Sequence, residues 1–153
     1  MRVINGILVK LLGILLLAGA STSAQAQFAV GTWVQKSGPL AGKISMKVEM
    51  CCGSGRRFSY FFKGNPAAMM IIESALDGSE VPVLVGGKPS GETMAIKRID
   101  SRHMLTDIKM NGKAFGTSRA ELSADGNMVT VENTTAGNAG QEPSTTTEIW
   151  VKQ

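Results

Sequence analysis

The chain has 153 residues, with 16 Lys and Arg against 12 Asp and Glu, one His, two Cys and 18 Gly. One domain is the natural expectation at this length, and the scattered, nearly balanced charge gives no clustered basic face for nucleic acid. A single histidine excludes multi-histidine metal centres and leaves little from which to build a hydrolytic triad.

The first segment does not read as part of a folded domain. Arg2 and Lys10 form a short basic region, an apolar run follows from Leu11 to Ala20, and small residues end in Ala24-Gln25-Ala26. This pattern predicts a secretory signal peptide, residues 1–26, cleaved after Ala26. The uninterrupted apolar run is too short to span a bilayer, which takes about 20 residues, so no transmembrane segment is expected in the mature protein. The mature domain, 27–153, loses Arg2 and Lys10, leaving 14 basic against 12 acidic residues and a net charge of +2. The expected location is the periplasm or the extracellular medium.

From there the chain reads with period two. Ten strands are predicted near 28–35, 43–51, 56–63, 67–75, 80–85, 91–99, 103–110, 113–122, 127–133 and 144–152. In the second, Ile44, Met46, Val48 and Met50 alternate with Lys43, Ser45, Lys47 and Glu49, the pattern of a half-buried strand. In the third, Phe58, Tyr60 and Phe62 share a face; in the seventh, Met104, Thr106, Ile108 and Met110 do. The run Ala67–Ala75 is apolar on both faces, which leaves its register open.

Between the second and third strands lies Cys51-Cys52-Gly53-Ser54-Gly55-Arg56-Arg57. Adjacent α-carbons are about 3.8 Å apart, below the usual 4.4–6.8 Å of a disulfide. The readings, in order, are free thiols or a vicinal disulfide at a hairpin tip, an intermolecular bridge, and metal binding. Arg56 and Arg57 read as solvated surface charge.

Asn111-Gly112 predicts a two-residue hairpin. Asp77-Gly78, Gly86–Gly91 and Asp125-Gly126 predict further turns, and Thr134–Ser144 a long polar loop. No segment carries a convincing helical period. Short connections favour sequential pairing, and a long meander removes its edges best by closing. The expected fold is therefore all-β: a single antiparallel meander closing into a small barrel of about eight to ten strands. A two-sheet sandwich is the alternative. An outer-membrane barrel is disfavoured, because the outward positions carry Lys, Glu, Asp and Arg where lipid would demand apolar residues.

No catalytic constellation is visible. His103 lies at the edge of a turn, and Asp77, Asp100, Asp107 and Asp125 sit mostly in or beside turns, where such side chains cap backbone. No glycine-rich phosphate loop precedes a helix, so no cofactor is expected. Eight methionines follow the initiator, several on inward faces. They permit a pliable apolar cavity; the plainer reading is core packing in a barrel filled by its own side chains.

Gly31-Thr32-Trp33, in the first predicted strand, resembles the G-x-W motif of lipocalins and the wider calycin group. Nearly the whole mature chain is similar to exported bacterial lipocalin-like proteins, through "GTW", "ALDGSEVPVLVGGKPSGETMAIKRIDSRH", "KMNGKAFGTSRAELSADGNMVTVEN" and "TEIWVKQ". The resemblance implies a calycin-type barrel and export, and names no chemistry. It also implies that Trp33 plugs one end of the barrel under a late arginine, for which Arg119 is the candidate. Residues 38–42 leave little room for the helical pair that fatty-acid-binding proteins insert after their first strand.

Together these observations predict a non-catalytic binding protein that holds a small apolar or amphipathic molecule in the barrel. Inward parity nominates Met46, Val48, Phe58, Tyr60, Phe62, Met104 and Ile108 as its lining, with Gly31 and Trp33 as the fold motif. The alternative is an envelope or interaction protein whose barrel is filled.

Overall fold

The computed structural model describes residues 30–137 and 142–153; the predicted signal peptide lies outside them. Among the described residues there is no helix. Ten strands follow in chain order: β1 (Gly31–Ser37), β2 (Ile44–Cys51), β3 (Gly55–Phe62), β4 (Met70–Ser74), β5 (Asp77–Val85), β6 (Lys88–Arg98), β7 (His103–Met110), β8 (Lys113–Leu122), β9 (Met128–Thr135) and β10 (Ser144–Lys152). Each pairs antiparallel with its neighbour in sequence, and β1 pairs with β10, so the meander closes into a barrel without a free edge. The sandwich alternative is excluded by that closure.

Alternation does what it predicts in the best-patterned strands. Ile44, Met46 and Val48 are buried on β2, Phe58 on β3 and Met104 on β7. The register across β2 and β3 sets Met46 against Tyr60 and Val48 against Phe58, and β4 continues it with Ile72 against Phe58 and Met70 against Tyr60. That settles the open register of the 67–75 run: Met70, Ile72 and Ser74 take the same face as Tyr60, Phe58 and Arg56.

The connections alternate between two ends. One end holds the turns at 38–43, 63–69, 86–87 and 111–112; the other holds 52–54, 75–76, 99–102 and 123–127. Asn111 and Gly112 have φ of 48° and 77°, the doubly positive pair of a two-residue hairpin matched to strand twist. The β1–β2 connection is a compact turn in which Gly42 N donates to Gln35 O at 2.8 Å and Lys43 N to Leu40 O at 2.9 Å. It holds no helical pair.

Several expectations need correction. Asp77-Gly78 is not a turn: it opens β5, where the β5–β6 register shifts between Asp77 and Glu80. The chain reverses instead at Ala75-Leu76, with Leu76 at φ 61°, an uncommon conformation for a bulky residue that no composition signal marks. The Gly86–Gly91 connection shrinks to Gly86-Gly87, with β6 starting at Lys88. Thr134, Thr135 and Ser144, read as loop, belong to strands that pair with each other.

Arg56 is also not surface charge. It is 1% exposed, because it shares the inward parity of Phe58. Its Nη1 donates to the carbonyls of Ser54 and Gly55 at 3.0 and 2.8 Å. Burial, and then the neighbouring Arg98 guanidinium, lower its pKa. Arg57 faces outward and pairs with Glu73, its Nε at 2.6 Å. Gly55 has no room for a side chain: a Cβ there would collide with the Ser74 carbonyl and lie 2.8 Å from Ala75 Cα.

Cys51 and Cys52 form a disulfide with α-carbons 3.8 Å apart. β2 ends at Cys51, so alternation does not carry Cys52 inward; it is exposed, with φ 51°. A bridge between neighbours closes no loop, so it adds little of the stabilisation that long-range disulfides give.

Candidate functional site

Side chains do not fill the barrel. A cavity of about 310 Å³ runs along its axis, at the low end of the size range of small-molecule sites. A barrel filled by its own side chains would not leave a space of this size.

The strands place its wall by parity. Trp33 from β1, Met46 and Val48 from β2, and Phe58 and Tyr60 from β3 line one side. Met70 and Ile72 follow from β4, Met94 and Ile96 from β6, and Met104 and Ile108 from β7. Ala120, Val129, Val131 and Trp150 complete the circuit. The cavity reaches the 38–43 end, where Pro39, Leu40 and Met69 border it. Leu40 is held there because its backbone N–H donates to Gln35 Oε1 at 2.9 Å.

Six of the seven residues nominated as lining are brought together: Met46, Val48, Phe58, Tyr60, Met104 and Ile108. Phe62 is not among them. It has the inward parity but ends β3 at the rim, 47% exposed. Of the methionines, Met46, Met69, Met70, Met94 and Met104 face the cavity, while Met50 and Met128 are exposed at strand ends.

Gly31 and Trp33 stand where the first strand pairs on both sides. Trp33 is 1% exposed, opposite Met46 on β2 and Lys152 on β10. Gly31 adopts φ 146°, and a side chain there would come within 2.8 Å of Lys152 Cε. Lys152 is thus a basic residue beside the motif. Arg119 is exposed on the outer face, because its neighbours Ser118 and Ala120 take the inward positions.

A polar group interrupts the apolar wall near the 38–43 end. Gln35, Tyr60, Asn133 and Glu148 line the cavity there. Glu148 Oε2 accepts from Trp150 Nε1 at 3.0 Å, and the Trp150 ring meets Tyr60 edge to face at a centroid distance of 5.9 Å. Burial pushes the Tyr60 hydroxyl well above its ordinary pKa, and the Glu148 and Glu92 carboxylates push it the same way. Burial also raises the Glu92 carboxyl. The tyrosine thus stays a neutral hydrogen-bonding group at any physiological pH.

Alternation could have found this group. Gln35 follows Trp33 by two positions, and Glu148 precedes Trp150 by two. A glutamate in "TEIWVKQ" reads as solvent-facing unless the tryptophan is taken to fix the inward face.

His103 lies at the opposite end, in an exposed network. Its Nδ1 is 2.8 Å from Asp100 Oδ1 and Oδ2, and Arg102 Nη2 bonds Glu121 at 2.8 Å. Backbone N–H groups of Arg102 and His103 also donate to Asp100. These bonds hold the Asp100 carboxyl below its ordinary range, with the Arg102 backbone contribution the largest. The network ties the β6–β7 turn to β8. Among the described residues no three His, Cys, Asp or Glu side chains are grouped to hold a metal ion.

Fold and cavity together define a closed ten-stranded antiparallel barrel with a mostly apolar interior, an architecture that fits a calycin-like fold. Comparison with models of known protein families and with curated proteins finds no match to this chain. No helix among the described residues is long and apolar enough to cross a membrane.

Proposed function

We propose that the protein is an exported lipocalin-like carrier that binds a small apolar or amphipathic molecule inside its barrel. The observation that supports this reading is the 310 Å³ cavity, walled by methionine, aromatic and aliphatic side chains with a few polar groups at one end. Such a site gains affinity from apolar burial, at roughly 25 cal/mol per Å² before association costs, and orientation from its polar end. Five methionines make the wall adaptable to ligand shape.

The test is titration of the protein with an environment-sensitive apolar fluorophore. The expected result is saturable binding with one site per chain, accompanied by a change in tryptophan emission, because Trp33 and Trp150 both line the cavity. Absence of saturable binding by the fluorophore and by simple aliphatic alcohols overturns the reading.

Export rests on residues 1–26. Expression of the full chain in a bacterial host is expected to give an extracytoplasmic product beginning at Gln27. A cytoplasmic product retaining Met1 removes this part of the proposal.

A further inference from the structure

The charge inside the cavity is one-sided. Among the described residues Glu148 is the only charged one in its wall, and no Lys, Arg or His lines it. The Glu148 carboxylate accepts a hydrogen bond from Trp150 Nε1; among the described residues neither it nor Glu92 forms an ion pair, and Glu92 lies near enough to act electrostatically on Tyr60. Three outward-facing glutamates do pair: Glu73 with Arg57, Glu80 with Lys109 and Glu121 with Arg102.

Gln35 is 1% exposed; its Oε1 is taken by Leu40 N–H, which fixes the amide orientation, yet its Nε2 meets no acceptor among the described residues. The Tyr60 and Asn133 side chains line the same cavity. A side chain at Gly38 would lie 3.0 Å from Glu148 Cγ and 3.3 Å from Gln35 Nε2, which sets that amide beside the glutamate stem. Glu148 is half-buried, and a carboxylate set against a mostly apolar wall attracts a counter-charge more strongly than one in open water.

We infer that the cavity selects amphiphiles bearing a positively charged head, an organic ammonium on an apolar body. The head sits against the Glu148 carboxylate beside the Tyr60 and Trp150 rings, and the body extends along the methionine-lined barrel. The inference rests on the binding reading above and narrows it to a ligand class. An ammonium gains Coulomb attraction that a low-dielectric wall screens poorly and attraction to aromatic rings within about 6 Å. A carboxylate-headed amphiphile would meet like charge at the Glu148 end of the cavity.

The experiment is calorimetric titration of the purified protein with three ligands of one chain length: decyltrimethylammonium, decanol and decanoate, each below its micellar concentration. The expected order is ammonium tightest, alcohol next, carboxylate weakest, with the ammonium at least about tenfold tighter than the carboxylate. Glu148→Gln should erase the preference, bringing ammonium affinity to near that of decanol for the same variant. Decanoate binding as tightly as the ammonium, or Glu148→Gln retaining the full preference, overturns the inference while leaving the binding reading intact. Failure of all three ligands, the neutral alcohol included, overturns both. Should Glu148→Gln fail to fold by circular dichroism, the ranking with the unmodified protein decides alone.

Discussion

Trp33→Ala is expected to lower the free energy of unfolding by about 3–5 kcal/mol, the range found when large core aromatics are truncated. Trp33 is 1% exposed, so nearly all of its apolar surface is lost from the core on truncation. It also occupies the strand that closes the barrel: β1 pairs with β2 through Trp33–Met46 and with β10 through Trp33–Lys152. Surrounding strands cannot collapse into the space without breaking one of those ladders, so relaxation recovers little. Domains of this kind have only about 5–15 kcal/mol of stability in total, which makes the loss a large share. Urea unfolding followed by far-ultraviolet circular dichroism measures it. A loss below about 1 kcal/mol would show that Trp33 does not secure the closure.

The sequence made this tryptophan conspicuous through its position in Gly31-Thr32-Trp33, and it made the strands legible for a physical reason. A strand buried on one face must alternate, and β2, β3 and β7 do. Parity likewise found six cavity-facing residues. Parity says which face a residue takes but not how far along the barrel axis it sits, which is why Phe62 ends at the rim and Met50 in solvent. Arg56 was misplaced because a charged side chain reads as outward, although its spacing from Phe58 puts it inside. The Ala75-Leu76 reversal left no signal, since Leu76 adopts a positive φ that its side chain disfavours, and Asp77-Gly78 beside it carries the composition of a turn. The cavity itself was not legible at all. Its volume is the difference between what ten strands enclose and what their inward side chains fill, a property of closure and register that no local pattern encodes.

That volume sets the second large effect. Ala120→Phe is expected to weaken binding of the apolar fluorophore by at least about tenfold, with the barrel still folded. Ala120 lines the cavity on β8, paired with Met104 on one side and Val131 on the other, so a larger side chain there points into the space a ligand would take. In a filled core such an enlargement strains its neighbours and costs about 1–3 kcal/mol. Here it enters a void of about 310 Å³, and filling empty apolar volume returns stability rather than costing it. The expected pair of results is therefore lost binding with unfolding stability equal to or above that of the unmodified protein. Leu105→Ser supplies the control, because Leu105 is 42% exposed on the outer face and should leave binding unchanged. If Ala120→Phe folds and binds the fluorophore as before, the molecule is held somewhere other than inside the barrel. If Leu105→Ser abolishes binding instead, the site lies on the outer surface and the interior cavity is not the one used.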